Sequence, residues 1–241
     1  MTFKRTISLF GIIVLVTVIG FLTVTCGDGG GDKGDPTFLG EELTLSGQVY
    51  KVKRGGTPQK PSINYEKYTG SLAIDNTFIT KYGGSGEIKN GQFYYTLGTP
   101  TGLVPLSSKI AIFFLVDEDY DNVTYSNSTA KGISLPMFLV SGSGSSDYKA
   151  LWMFNISASA NSVTMEHVSF VYVDKDVTIS GKGKTTDDED GEFITKDFKI
   201  ALKAGWNAIH WKTTGSSEKS TETISLGNPS LKWVLIEDYD D

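Results

Sequence analysis

From Leu43 onward the apolar positions of this chain follow a two-residue rhythm and show little of the spacing of an amphipathic helix. Leu43-Thr44-Leu45-Ser46-Gly47-Gln48-Val49-Tyr50 alternates apolar and polar residues, as a strand does when one face is buried and the other is wet. Runs of the same kind, rich in Val, Ile, Phe, Tyr and Thr and bounded by Gly, Asn, Asp and Ser, recur at 92–97, 109–116, 135–140, 163–173, 177–182, 193–203, 207–212, 221–226 and 231–236. They predict an all-β domain over residues 43–241, built as a β-sandwich of antiparallel strands.

Lys203-Ala204-Gly205-Trp206-Asn207 joins two of these runs through a glycine free to take positive φ, which predicts a hairpin. Phe198, Ile200 and Leu202 then share one strand face, and Lys199, Ala201 and Lys203 the other. A faint internal echo links AIFFLVDEDYDN at 111–122 to LKWVLIEDYDD at 231–241. Either the domain has two related halves meeting near residues 122–132, or two unrelated strands both end in acidic loops.

The first 25 residues follow a different pattern. Lys4 and Arg5 precede a mainly apolar run from Ile7 to Leu22, and small residues follow, as in an export signal. As a helix that run is about 24 Å long, short of the roughly 30 Å needed to span the hydrocarbon core. Leu22-Thr23-Val24-Thr25-Cys26-Gly27 resembles a relaxed lipobox, the site of lipid attachment to cysteine and of cleavage just before it; Thr23 and Thr25 stand where Leu and Gly or Ala are usual, and Leu22 sits one place early. An uncleaved anchor, or an ordinary signal peptide beside a chance cysteine, is the alternative. Residues 26–42 then hold the lipidated Cys26 and a tether whose start, GDGGGDKGDP, has no apolar residue to bury.

Cys26 is the chain's single cysteine, so no internal disulfide forms. With Lys4 and Arg5 removed, 20 basic residues face 28 acidic ones, a net charge of −8. That surface repels phosphate backbones and excludes nucleic acid as the expected partner.

Few residues suggest chemistry. His167 and His210 each lie inside a predicted strand with no Cys or His at ligand spacing, which reads as packed or surface histidine rather than a zinc site. Gly142-Ser143-Gly144 is a flexible loop sequence, not a nucleophile elbow. Asp117, Asp119 and Asp121 alternate like the first ligands of a calcium loop, but Asn122 and Ser128 fall where that loop needs Gly and Glu. They are retained as calcium candidates beside the plainer reading of a solvated loop, as is the acidic run 187–192. Tyr65, Tyr68 and Tyr82 sit in polar, loop-like surroundings and are candidate exposed aromatics for a glycan or protein ligand, whereas Trp152, Trp211 and Trp233 are expected to pack.

GEIKNGQFYYTLGTPTGLVPL at 86–106, FVYVDKDVTISGKGKTT at 170–186, and TKDFKIALKAGWNAIHWK with LGNPSLKWVLI across 195–236 resemble a group of spirochaete lipoproteins of the treponemal type. Together with the leader, these segments cover about half of the chain. The resemblance implies a lipid-anchored β-domain in the cell envelope, at the outer membrane or cell surface rather than the inner membrane, and it carries over no catalytic residues. The expectation is a non-enzymatic module that binds a macromolecule or glycan. A structural periplasmic lipoprotein without a soluble ligand comes second, and a hydrolase third. Intact-mass measurement of the mature protein is expected to give a chain that starts at Cys26 and carries lipid on its thiol; a free thiol, or a different first residue, contradicts the anchor.

Overall fold

The computed structural model describes residues 38–57, 60–75, 80–106, 120–142, 148–159, 162–188, 191–216 and 218–236. Cys26 and the predicted strand at 109–116 lie outside them. The described chain runs through β1 (Phe38–Gly40), β2 (Leu43–Thr57), β3 (Lys60–Lys67), β4 (Ala73–Ile74), β5 (Ser85–Lys89), β6 (Gln92–Leu97), β7 (Val104–Pro105), β8 (Tyr120–Tyr125), β9 (Lys131–Leu135) and β10 (Phe138–Ser141). It continues through β11 (Tyr148–Ser159), β12 (Ser162–Val173), β13 (Val177–Gly183), β14 (Thr185–Asp188), β15 (Gly191–Thr195), β16 (Phe198–Leu202), β17 (Gly205–Gly215), β18 (Lys219–Leu226) and β19 (Lys232–Ile236). The fold is an all-β sandwich in which sheets of mainly antiparallel strands pack face to face.

The large sheet runs β14-β15-β18-β17-β12-β11-β19-β2, with β15–β18 and β19–β2 as parallel neighbours. Its centre is the β12–β17 ladder. Val168, Phe170, Tyr172, Trp206 and Ala208 join one apolar core, while the alternate residues Val171, Val173, Ile209 and Trp211 join another on the opposite face. Strands covered on both faces read as near-continuous apolar runs, which is how Val168–Val173 and Gly205–Ile209 are written.

Over the first face folds a small sheet made by the start of β2 with β6 and β5. Leu43, Leu45, Phe93, Tyr95 and Leu97 point down from it, and Phe93 meets Trp233 with ring centroids 4.5 Å apart. Two indole N–H groups on this face are satisfied: Trp206 donates to Gly98 O at 2.9 Å and Trp233 to Ser46 O at 3.2 Å. Against the second face packs the sheet β16-β13-β8, bringing Phe198, Ile200, Ile179, Val177 and Tyr120.

A single strand joins two of these layers. Residues 43–48 of β2 pair with β6, and from Val49 onward β2 turns to β19 and β3. At the changeover the Gln48 amide lies within 2.9–3.0 Å of the carbonyls of Val49, Tyr68 and Gly91, and its own oxygen accepts from Gln92 at 2.8 Å. A side-chain amide here stands in for ladder bonds that the diverging strands do not make.

Several expectations are corrected. Lys203–Asn207 is not a hairpin: β16 pairs with β13 and β17 with β12 and β18, so this segment carries the chain from one sheet to the other. Asn207 fixes the corner, accepting from Lys203 N–H at 3.0 Å and donating to the carbonyls of Lys203 and Gly205 at 2.8 and 2.9 Å. Glycine is required at 205, with φ of 114° and a Cβ position only 2.7 Å from Gly40 O. The face assignment for Phe198, Ile200 and Leu202 does hold. The run 193–203 is two strands in different sheets, parted at Lys196 and Asp197, and the run 135–140 breaks at Pro136. Strands from both sides of residues 122–132 share the large sheet; the echo itself falls largely on residues outside the described ones.

In a two-layer sandwich one of two adjacent strand residues faces water and tolerates charge. Here Phe170→Asp and Val171→Asp are each expected to cost more than about 4 kcal/mol in denaturant unfolding, because each buries an unpaired carboxylate. A mild effect at either position contradicts the doubly covered ladder.

Candidate functional site

The described surface carries an open groove of about 580 Å³. It lies where the edge strand β5 approaches β4 and the end of β10, and is lined by Ala73, Ile74, Gly86, Glu87, Lys89 and Ser141, among others. Leu72 and Ile88 pinch it with two backbone hydrogen bonds of 3.0 and 3.2 Å.

Cross-strand register explains what stands at its rims. Tyr94 on β6 is the neighbour of Glu87, and Tyr148 on β11 is the neighbour of Ser141, which is itself opposite Ala73. The outward row therefore runs Tyr94, Glu87, groove, Ala73, Ser141, Tyr148. Tyr94 and Tyr148 are 53% and 45% exposed and are the large apolar side chains most open to water among the described residues. Both were missed in the sequence, although Tyr94 was within reach: Phe93, Tyr95 and Leu97 claim the inner face of β6, which leaves Tyr94 outside. The Tyr148 hydroxyl donates to Asp75, whose charge holds the phenol proton on and pushes its pKa up.

Tyr65, Tyr68 and Tyr82 are not free binding aromatics. Tyr82 is core, donating to Ser134 O at 3.0 Å, and burial pushes its pKa up to about 12. Tyr65 lies under the Lys232 ammonium, 4.7 Å from the ring centroid, and its oxygen accepts the Ile156 N–H at 2.8 Å, covering β11 where β19 no longer runs beside it. Tyr68 packs against the first core, with Lys51 over its ring at 5.4 Å. Trp211 and Trp233 are buried as expected, and Trp152 is half-buried.

The two histidines occupy adjacent strands but opposite faces. His167 is opposite Trp211 and stacks on it at 5.6 Å, with Trp152 6.0 Å away on its other side. His210 is opposite Val168 on the other face, with Nε2 3.3 Å from Glu166 Oε1. Burial lowers the pKa of His210, and Glu166 works against that shift. No cleft holds both rings. Asp121 lies exposed on β8 opposite Lys182, while Asp117 and Asp119 are outside the described residues. Among the described residues no three His, Cys, Asp or Glu gather as a metal site. Of the acidic run 187–192, Asp187 and Asp188 lie on β14 opposite Glu192 and Gly191 of β15, and Glu192 pairs with Lys219 at 3.0 Å.

No protein-family model, curated protein or solved structure matches the chain. The site's chemistry is therefore read from its geometry. An open trough lined by small residues, by Leu72, Ile74 and Ile88, and by one acid and one base suits surface contact with a larger molecule rather than enclosure of a small one.

His167 gives a pH test of the packing around the Trp211 face of the ladder. Burial, helped by the nearby His210, lowers its pKa from 6.5 to about 4. Between those values the unfolded chain binds more protons than the folded one, so the neutral ring's contribution to stability is complete above pH 6.5 and is lost as pH falls to about 4, roughly 3 kcal/mol in all. His167→Phe keeps a ring between the two tryptophans and is expected to flatten the stability profile between pH 7 and 4 by about that amount. Parallel profiles for the two proteins contradict the buried neutral ring.

Proposed function

We propose that this chain is a bacterial envelope lipoprotein, held to a membrane by lipid on Cys26, whose β-domain is a non-catalytic module that binds a macromolecule or glycan, with the groove between β5 and β4 as its candidate contact surface. The leader, the position of the single cysteine and the resemblance to spirochaete lipoproteins support the anchor. One observation supports the binding role: the open groove between β5 and β4 has Ser141 in its lining, and beside Ser141 in cross-strand register stands Tyr148, one of the two large apolar side chains most exposed among the described residues. A ring so placed offers rigid apolar area with a polar tip beside the groove.

Placement favours the same reading. The N-terminal tether carries the domain away from the headgroups, and the acidic mature chain disfavours polyanionic partners. The hydrolase reading needs converging acids or both histidines in one cleft, and the groove's lining includes Glu87 as its acid.

Photo-crosslinkers placed at Tyr148 and, as a control, at exposed Lys199, tested in intact envelopes, separate a binding module from a purely structural lipoprotein. A discrete adduct from position 148 and none from position 199 is expected. Equal labelling, or none from either, contradicts the binding role.

A further inference from the structure

We infer that a soft monovalent metal ion, Cu(I) or its analogue Ag(I), binds to Met137, Met165 and His167 beside the ring of Trp152. The site shares no residue with the groove lining and goes beyond the binding role proposed above.

Strand register puts these side chains on one face. His167 meets Trp152 on one side, with ring centroids 6.0 Å apart, and stacks on Trp211 at 5.6 Å on the other. Met165 stands two residues earlier on β12, hence on the same face and roughly 6.6 Å along the strand. Met137 precedes Phe138, whose ring points into the first core, so its own side chain turns outward; its Sδ accepts the Trp152 indole N–H at 3.0 Å. Trp152 thus touches both a thioether and the imidazole. All four residues are half-buried, so the patch keeps a route to solvent.

Three observations set this patch apart from ordinary packing. No hydrogen bond holds the His167 ring among the described residues. Ser169, next along this face of β12, is 2% exposed and its hydroxyl has no partner, which leaves a buried oxygen beside the ring. Of the methionines beyond the leader, Met137 and Met165 are both here, and Met153 lies in the first core on the opposite face.

The donor chemistry names the ion. Thioethers are soft ligands that prefer Cu(I) to harder divalent ions, and imidazole binds copper well. No carboxylate joins the set: Glu166, between Met165 and His167 in the sequence, lies on the other face with its Oε1 3.3 Å from His210 Nε2. An uncharged donor set suits a single positive charge, and a cation within about 6 Å of an indole ring is stabilised by its π face. The rotatable bonds of methionine let both thioethers swing toward a shared ion.

The test uses the mature chain in detergent with its methionine methyl groups isotope-labelled, titrated with Ag(I) in chloride-free buffer. A single equivalent is expected to shift the methyl signals of Met137 and Met165 and to quench indole fluorescence, while Met153 keeps its signal and Zn(II) and Ca(II) shift none of them. Met137→Leu, Met165→Leu and His167→Phe preserve shape and are each expected to weaken Ag(I) binding about tenfold or more, since even the outer partners of a metal site contribute that much. An unchanged Met153 signal checks that each variant folds. No shift at a single equivalent overturns the inference, as does a shift at Met137 and Met165 that His167→Phe leaves intact. Because these methyl groups report the patch directly, neither the lipid anchor nor the groove decides the result.

Discussion

The structure depends on one ladder being covered on both faces. β12 and β17 pair in unbroken register from Val163–Gly215 to Val173–Gly205, and their alternate side chains supply two cores at once. An ordinary half-buried strand stabilises one interior and presents its other face to water. This pair has no water-facing side over residues 168–173, so the flanking sheets are tied to it rather than to each other. Burial of large apolar side chains contributes about 1.5–3 kcal/mol each, and the ladder supplies Phe170, Tyr172 and Trp206 to one core and Trp211 to the other. Polar intrusions are correspondingly few. Asn207 is buried but spends its amide on the corner that turns the chain from β16 into β17.

Covering a ladder twice creates junctions where strands change neighbours, and each leaves backbone groups that need partners. Gln48 closes the junction in β2, and Tyr65 covers β11 where β19 no longer runs beside it. The groove is a third junction, between β5 and β4, pinched at Leu72–Ile88 and open beyond it. The candidate site is thus a product of the same architecture: a gap between two layers whose outward residues are set by strand alternation.

Much of this was legible in the sequence, and the failures have physical causes. Period-two alternation located most strands because one-sided burial is the rule; 92–97 and 231–236 are near the observed bounds. What the pattern does not encode is which strands pair. Gly205 signals a turn truthfully, but a corner between sheets and a hairpin ask the same of that residue. A tight hairpin lies at Asn90-Gly91, both at positive φ, where the preceding strand Ser85–Lys89 is too short and polar to stand out. Val168–Val173 records its double burial openly as a run of apolar residues broken by Ser169. The candidate site was less legible. Polar neighbours made Tyr65 and Tyr82 look exposed, yet each hydroxyl has a backbone partner across the fold, a long-range relation that composition does not carry. Tyr148 has no sequence signal, since its place at the groove follows from β10 lying beside β11.

Native-state hydrogen exchange resolved by residue tests the doubly covered ladder most directly. If β12 and β17 hold both layers together, the amides from Val168 to Val173 and from Trp206 to Trp211 exchange only through global unfolding, with one shared free energy equal to that from denaturant melts, and the edge strands β5, β8 and β14 exchange earlier. If instead the ladder opens at a free energy well below the global value while a flanking sheet stays protected, the two layers are independently stable and the account is wrong.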